Sequence, residues 1–411
     1  MWSNTLSRVA NQQPAWRDHP DLEEAKRFLE SAEPLVWSTE IAEAQRNLAA
    51  VSAGQALVVQ AGDCAEDPAE STDVHVHRKV GMLRCLGGIL SHDSNLPVVR
   101  LGRLGGQFAK PRSAATELHA GVEMLAFRGH LVNDPAPTPE ARMPDPRRLI
   151  KGYRAAQTVS GLLREIAAGN TDERVWMSHE MLILDYEIPQ VRRNSRMGAF
   201  LSSTHVPWIG NRTNEPDGAH VALLASVVNP VACKVGPDMS EQKLLALCRR
   251  LDPHRKPGRL TLIARMGAAH VADRLPLLMR AVADAGYPVI WLCDPMHGNT
   301  VKTTAGLKVR YLDAVQAEVI GFRDSCRAAG VWAGGLHLET TPDDVLECAP
   351  AEQAHGAAAR YTSLCDPRLN LNQAISVVSS FGRYAHRAVD PVVMVGLGSS
   401  GEPADRMTTA Y

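Results

Sequence analysis

The stretch "ALVVQAGDCAE", residues 56–66, decides the fold class of this chain. Its nearly continuous apolar run stops abruptly, and Asp63, Cys64 and Glu66 follow at once. An apolar run without strict alternation is typical of a parallel strand that is buried on both faces. Side chains with chemical function directly after such a strand predict a functional site at its carboxyl end.

Seven further runs of the same kind occur along the chain, and helical patterns such as "RLPLLMRAVADAG" (274–286) separate the later ones. Eight buried strands alternating with helices predict an α/β fold, a (β/α)8 TIM barrel. An open doubly wound sheet is the alternative, but no GxGxxG fingerprint follows the first run. The seven runs lie at 96–102, 174–180, 199–205, 230–236, 260–267, 288–294 and 331–339.

The predicted barrel is flanked by two smaller segments. Residues 1–54 show polar helical patterns and are expected to form an N-terminal helical extension, and residues 55–385 are expected to form the barrel. Residues 386–411 are polar at their end and are expected to be loose or to act as a lid.

Composition excludes several classes of protein. With 411 residues, 45% of them hydrophobic, the chain can bury a large core, and its net charge of −1 gives no basic excess for nucleic acid. No secretory leader and no apolar stretch long enough to span a membrane is found, so we expect a cytoplasmic protein. The eight cysteines form no CxxC pair, which argues against a disulfide scaffold.

Each predicted strand ends in polar or charged residues, and in a parallel barrel all these ends meet on one face. One subset combines a thiol, an imidazole and two carboxylates, a donor set that suits a transition metal ion better than Mg²⁺ or Ca²⁺. These four candidate ligands are Cys64, His297, Glu339 and Asp366.

A second subset is cationic and would hold phosphate and carboxylate groups. Its members are Arg103, Lys110, Arg112, Arg212, Lys234, Arg265 and Lys308, with Ser113 beside them.

Other residues of these types are expected to be structural. We expect Glu66 to be an acidic residue in the first turn of a helix. A lone histidine at a strand end is usually a hydrogen-bonded core residue, and a free cysteine is usually a small buried hydrophobe. These expectations cover His179, His205 and His337, and Cys85, Cys233, Cys248, Cys293, Cys326 and Cys348.

At these residues the chain resembles the class II 3-deoxy-D-arabino-heptulosonate 7-phosphate (DAHP) synthases, the enzymes of the first step of the shikimate pathway. The matching stretches occur in order and cover nearly the whole predicted barrel. They are "QAGDCAE" (60–66), "GQFAKPRS" (106–113), "SHEMLILDYE" (178–187), "STHVPWIG" (203–210), "NPVACKVGP" (229–237), "LIARMG" (262–267), "CDPMHGNT" (293–300), "GGLHLE" (334–339) and "CDPRLN" (365–370).

The resemblance implies a metal-dependent transferase that condenses phosphoenolpyruvate with D-erythrose 4-phosphate. It implies a divalent ion, Mn²⁺ or Co²⁺, on the four candidate ligands, and a homo-oligomer, dimer or tetramer. The phosphoenolpyruvate site would take Arg103, Arg212, Lys234 and Arg265, with Trp208 as a wall. The erythrose 4-phosphate end would take Lys110, Arg112, Ser113 and Lys308, and the catalytic roles would fall on Lys234, Arg103, His297 and Glu339.

The chain departs from the family pattern at one position. Asn211 stands where relatives commonly have an acidic residue, and an amide cannot take a proton from water as a base. The short N-terminal segment favours a compact member that serves secondary metabolism, such as a phenazine pathway, with weak or no feedback inhibition. An amino-DAHP synthase of an aminoshikimate route and an inactive barrel acting as a partner subunit remain alternatives.

Overall fold

A computed structural model describes residues 8–168, 174–303, 306–351 and 360–382. Fifteen strands occur in this part of the chain, and eight of them form one parallel sheet. In chain order the strands are β1 (Leu57–Gly62), β2 (Val98–Arg103), β3 (Thr116–His119), β4 (Val122–Leu125), β5 (Val175–Met177), β6 (Val191–Asn194), β7 (Gly198–Leu201), β8 (Trp208–Ile209), β9 (Val231–Val235), β10 (Leu260–Ala264), β11 (Ile290–Cys293), β12 (Thr300–Lys302), β13 (Lys308–Tyr311), β14 (Ala333–Glu339) and β15 (Cys348–Ala349).

The parallel sheet follows the order β5-β2-β1-β14-β11-β10-β9-β8. Glu180, just beyond β5, forms a parallel bridge with Trp208 of β8, so the two ends of this order meet. Each strand therefore neighbours the next parallel strand along the chain, as a (β/α)8 barrel requires. The predicted fold class is confirmed.

Ten α-helices of the described residues surround or extend this sheet. They are α1 (Leu22–Ser31), α2 (Ser38–Ser52), α3 (Asp73–Ser94), α4 (Arg147–Ala168), α5 (Leu184–Glu187), α6 (Ala219–Ala225), α7 (Glu241–Leu251), α8 (Val271–Asp284), α9 (Leu312–Ala329) and α10 (Leu371–Gly382). Within the described part of the chain, no helix combines the length and the apolarity that crossing a membrane requires.

Alternate residues of the parallel strands enter two different cores. Val58 of β1 joins an inner cluster with Ile263 and Leu292 from other strands, whereas Leu57 and Val59 pack outward in the large cluster shared with the helices. This double burial explains why the runs are apolar throughout. Ala44, Leu48 and Val51 of α2 belong to the inner cluster, so this helix packs against the barrel interior.

The prediction for the fourth barrel strand, 199–205, is wrong. Gly198–Leu201 pairs antiparallel with Val191–Asn194 in a separate hairpin, and the barrel strand is Trp208–Ile209. The hairpin satisfies the backbone hydrogen bonds of the apolar residues. The polar residues that follow lead to the parallel sheet, where the Trp208 N–H donates to the His179 carbonyl at 3.0 Å.

The other structural expectations have mixed outcomes. His179, His205 and His337 are buried, as are five of the six cysteines expected in the core, but Cys85 is exposed on α3. The segment 386–411, predicted to be loose or lid-like, lies outside the described residues. The proposed domain boundaries remain predictions.

Candidate active site

A cavity of about 320 Å³ opens at the carboxyl ends of the parallel strands. Six of its lining residues are cationic, and two, Glu180 and Asp366, are acidic. Such a concentration of positive charge suits a ligand with several negative charges. The six cations are Lys110, Arg112, Arg212, Lys234, Arg265 and Lys308.

The four predicted metal ligands come together beside this cavity. Ligand atoms of Cys64, Glu339 and Asp366 all lie within 4.8 Å of one another. The Nε2 atom of His297 lies 3.2 Å from Oε1 of Glu339. The set of one sulfur, one nitrogen and two oxygen donors fits a divalent transition metal ion, although the metal role of these residues is still a prediction.

A glycine lets the first two strands approach closely enough to build this cluster. Gly62, with φ of 145°, ends β1, and a Cβ added there would lie 2.6 Å from the carbonyl oxygen of Arg103. The Arg103 side chain donates to the carbonyl of Asp63 at 2.9 Å. The tip of β1, with Cys64 on it, is thereby fixed to the end of β2.

Lys110 lies at the centre of the cluster. Its Nζ atom is 2.8 Å from the Cys64 sulfur, 3.1 Å from Oε1 of Glu339 and 2.8 Å from Oδ2 of Asp366. Burial lowers the pKa of Lys110. The negative charges of Asp366, Cys64 and Glu339 outweigh this effect and raise that pKa well above the ordinary value. The ammonium group therefore stays charged, and it contacts predicted metal ligands as well as lining the cavity.

Glu339 is held by two buried arginines. Arg103 Nη2 lies 3.0 Å from its Oε1 and Arg310 Nη1 lies 2.7 Å from its Oε2. Burial alone would raise the pKa of Glu339, but His297, Lys110 and Arg310 hold it well below its usual range. Glu339 is therefore an anion, as a metal ligand must be. Sequence reasoning did not select Arg310, which lies in β13, in an ordinary mixed stretch of sequence.

Asp294 joins the metal cluster to the cationic wall. One of its oxygens, Oδ2, lies 2.5 Å from Nζ of Lys234 and 2.7 Å from Nδ1 of His297. This contact engages Nδ1 of His297 and leaves Nε2 to face Glu339, which is the arrangement that a histidine ligand needs. Burial lowers the pKa of Lys234 to about 8, although Asp294 opposes the shift.

A second buried network ties the Cys64 segment to the Asp366 segment. Arg368 lies 2.7 Å from Oδ1 of Asp63 and 2.8 Å from Oε1 of Glu347. Asp63 and Arg368 are close in sequence to the two ligands, so this ion pair fixes the separation between them.

Glu66 does not have the expected role of a first-turn helix residue. It is buried and accepts hydrogen bonds from the backbone N–H groups of Gly105, Gly106 and Gln107 at 2.9, 2.9 and 2.7 Å. Three backbone donors need an acceptor in the protein interior, and a carboxylate can accept all of them. Glu66 thereby shapes the loop that leads to Lys110.

Two predicted substrate-binding residues do not line the cavity. Trp208 is buried in the inner core, with the guanidinium of Arg103 5.1 Å from its ring centre and His337 against its edge. Trp208 thus packs against Arg103 from the barrel interior, and its role as a wall of the phosphoenolpyruvate site stays a prediction. Arg103 is itself buried and reaches Glu339 and His337.

The remaining predicted residues lie where a substrate could touch them. Ser113 and Arg212 line the cavity, and Lys308 lines it while pairing with Oδ1 of Asp366 at 2.6 Å. Arg112 also lines it, but its Nη2 atom donates to Glu117 at 2.9 Å. Glu180, the last residue of the predicted run at 174–180, also lines the cavity, and sequence reasoning gave it no role.

Comparisons with known proteins show the family of this chain. The class-II DAHP synthetase family matches residues 2–174 and 170–381. A probable phospho-2-dehydro-3-deoxyheptonate aldolase of Pseudomonas fluorescens is 50% identical over 92% of this chain and 95% of its own length. Phospho-2-dehydro-3-deoxyheptonate aldolases of Streptomyces coelicolor and Mycolicibacterium smegmatis are 37% and 34% identical, over 90% and 91% of this chain and 93% and 92% of their own lengths.

A solved structure shares the fold at low sequence identity. Phospho-2-dehydro-3-deoxyheptonate aldolase from Francisella tularensis SCHU S4 has a TM-score of 0.54 and 13% identity, and the match covers 88% of this chain and 96% of that one. The chain belongs to the class-II DAHP synthetase family of transferases.

Proposed function

We propose that this chain condenses phosphoenolpyruvate with D-erythrose 4-phosphate and water, giving DAHP and inorganic phosphate. The observation that carries the proposal is a single cavity at the carboxyl end of the barrel that adjoins both the cationic wall and the Cys64 cluster. Both substrates carry phosphate, and phosphoenolpyruvate adds a carboxylate. Six cations around one cavity match that charge.

The cations divide between two ends of the cavity in this proposal. Lys234, Arg212 and Arg265 would bind phosphoenolpyruvate, with buried Arg103 behind them. The contacts of Arg265 support a common site. Its guanidinium lies close to Gly236, where an added Cβ would be 3.4 Å away, and it donates to the carbonyl of His297 at 3.0 Å. Erythrose 4-phosphate would bind at the other end, at Lys110, Arg112, Ser113 and Lys308.

Cys64, His297, Glu339 and Asp366 would hold a divalent ion, with Mn²⁺ or Co²⁺ our candidates. When bound, such an ion supplies Lewis-acid polarisation of a carbonyl oxygen. The protein's own contribution is orientation, because Asp294, Arg310 and Arg368 hold the ligands or their segments in place.

The cationic wall also serves the chemistry. C3 of phosphoenolpyruvate forms a bond to the aldehyde carbon, water adds to C2, and the C2–O bond to phosphate then breaks. Negative charge develops on the departing phosphate, and fixed guanidinium and ammonium groups stabilise it. Lys234, whose pKa is lowered to about 8 by burial, can donate a proton near neutral pH.

The test is release of inorganic phosphate from phosphoenolpyruvate in the presence and absence of erythrose 4-phosphate. We expect release only when both substrates are present, loss of release with EDTA, and recovery with Mn²⁺ or Co²⁺. Cys64→Ser should not recover. Phosphate release that is indifferent to erythrose 4-phosphate would contradict the proposed reaction.

Asn211 favours one second candidate substrate. It lines the cavity, and its neutral amide can both donate a hydrogen bond to a nitrogen group and accept one from it, so an amino or imino analogue of erythrose 4-phosphate is a candidate. Turnover of the two sugars side by side decides between them. Service in secondary metabolism, weak feedback inhibition by Phe, Tyr or Trp, and assembly into a dimer or tetramer are further parts of this proposal. Inhibition assays and light scattering test the last two.

A further inference from the structure

One acidic side chain that lines the cavity has a carboxylate oxygen without a hydrogen-bond donor among the described residues. Glu180 lines the cavity, and its Oε1 atom is buried without a hydrogen-bond partner in the part of the chain that the structure describes. Asp366, the other acidic residue of the lining, is paired with Lys110 and Lys308. A buried carboxylate oxygen without a donor costs free energy unless a ligand or water supplies one.

The backbone fixes the position of Glu180. Its N–H group donates to Oε1 of Gln107 at 2.9 Å, and its main chain pairs with Trp208 where the barrel closes. The carboxylate passes over Gly210, where an added Cβ would lie 2.0 Å from Oε1. Only glycine at 210 leaves room for this placement.

The residue after Gly210 cannot do what a carboxylate does. Asn211 lines the same cavity, and its amide can orient water but cannot take up a proton. The addition of water to C2 releases a proton, so some group on the cavity wall has to receive it. Glu180 is the carboxylate of this wall that is not already held by two ammonium groups.

We propose that Glu180 is a catalytic residue that accepts the proton of the water that adds to C2 of phosphoenolpyruvate. This inference rests on the proposed function. The water oxygen forms a bond to C2, one water proton moves to the Glu180 carboxylate, and the other stays on the new hydroxyl. The C2–O bond to phosphate then breaks with its electron pair on phosphate, the hydroxyl proton passes to the departing phosphate as C2=O forms, and the proton on Glu180 passes to the alkoxide left by the aldehyde.

The surroundings of Glu180 agree with such a role. Burial raises the pKa of Glu180, while Lys110, Lys234, His297 and Arg103 favour its charged form. A carboxyl with a raised pKa holds a proton near neutral pH more readily than an exposed one, and a base works best when its pKa lies near the working pH.

The experiment compares Glu180→Gln and Glu180→Ala with the wild type, with steady-state phosphate release and calorimetric phosphoenolpyruvate binding as separate readouts. Because a positioned general base contributes about 10²–10⁴-fold, kcat should fall at least about 100-fold in both variants while phosphoenolpyruvate affinity changes little. Added formate should restore part of the turnover of Glu180→Ala, where it fits the vacated space, and should not affect the wild type.

Glu187→Gln is the matched control. Glu187 is a buried glutamate near Glu180 in sequence that bonds His179 at 2.9 Å and Ser203 at 2.6 Å and does not line the cavity. It should keep turnover close to the wild type. In the double variant Glu180→Gln/Asn211→Glu, the new carboxylate should recover turnover relative to Glu180→Gln alone.

Three results would overturn the assignment: unchanged kcat in Glu180→Gln, a matching loss of phosphoenolpyruvate affinity, or a loss of turnover that neither formate nor Asn211→Glu reduces. All of them presuppose an active wild type. A wild-type protein that releases no phosphate with both substrates would instead refute the proposed function, so the two failures are distinguishable.

Discussion

Replacement of Arg310 by methionine should lower both the stability of the barrel and its affinity for a divalent ion. The Arg310 side chain is 0% exposed, and besides its contact with Glu339 it donates to the Pro367 carbonyl and, at 2.8 Å, to the Thr300 hydroxyl. Methionine has similar length and no charge. The substitution therefore removes the polar contacts while it fills most of the same space.

The magnitude follows from what remains around Glu339. Removal of one partner of a buried ion pair costs about 3–5 kcal/mol, because the other charge is left without compensation. Here Arg103 and Lys110 still flank Oε1 at 3.0 and 3.1 Å. We therefore expect a loss of about 3 kcal/mol in the free energy of unfolding, at the lower end of that range. Loss of a group that orients a metal ligand should also weaken metal binding by about 10- to 100-fold.

Urea unfolding followed by tryptophan fluorescence measures the first effect, and calorimetric titration with Mn²⁺ measures the second. Arg327→Met is the control: Arg327 pairs with Asp324 at 2.9 Å, but the two side chains are 54% and 60% exposed, so the change should cost no more than about 1 kcal/mol. The reasoning about Glu339 is refuted if Arg310→Met stays within about 1 kcal/mol of the wild type with unchanged Mn²⁺ affinity.

Three further substitutions test separate parts of the site. Burial lowers the pKa of Lys234 to about 8, so its charge, and with it the affinity for phosphoenolpyruvate, should fall as the pH rises through that value. In Lys234→Arg this fall should disappear between about pH 7 and 9, because arginine stays protonated. An equal decline of affinity in both proteins would argue against Lys234. Gly210→Ala should displace the Glu180 carboxylate and lower kcat about 10-fold or more. The control Gly81→Ala, whose Cβ would meet nothing within 4 Å, should leave kcat unchanged. Equal turnover in the two variants would show that Glu180 tolerates displacement. Cys64→Ser should lose bound Mn²⁺ in elemental analysis after dialysis while keeping its circular dichroism spectrum, and retention of the ion would remove Cys64 from the ligand set.

The sequence predicted where the site lies because a parallel barrel imposes strong rules. All strand ends share one face, so the polar residues after the runs at 56–62 and 331–339 had to be neighbours even though they are far apart in the chain. The same rule applies to Cys64, His297 and Glu339, which end barrel strands or closely follow them, whereas Asp366 follows no barrel strand. It works without any knowledge of the loops.

The fourth strand shows the limit of that pattern. The run at 199–205 has the apolar start of a barrel strand, yet its residues pair with Val191–Asn194 in a local hairpin. Local antiparallel pairing closes a much shorter loop than a return to the sheet, and apolarity alone does not distinguish the two. The two-residue strand that does enter the barrel, Trp208–Ile209, is too short to be recognised by periodicity.

The residues that hold the site together escaped sequence reasoning for a different reason. Glu66 and Glu318 are buried carboxylates that accept backbone N–H groups of active-site loops: Glu66 from the loop before Lys110, and Glu318, at 2.8 Å each, from Met266 and Gly267. In the sequence Glu318 is an ordinary acidic residue of helix α9, since the groups it bonds lie about fifty positions away. Functional residues at a strand end can be recognised by their own residue types. A supporting residue such as Glu318 can be recognised only from the distant backbone groups that it contacts. Sequence patterns therefore predict the groups that would touch substrate more readily than the groups that hold them in place. A search for further functional residues in this barrel should begin with its unassigned buried glutamates.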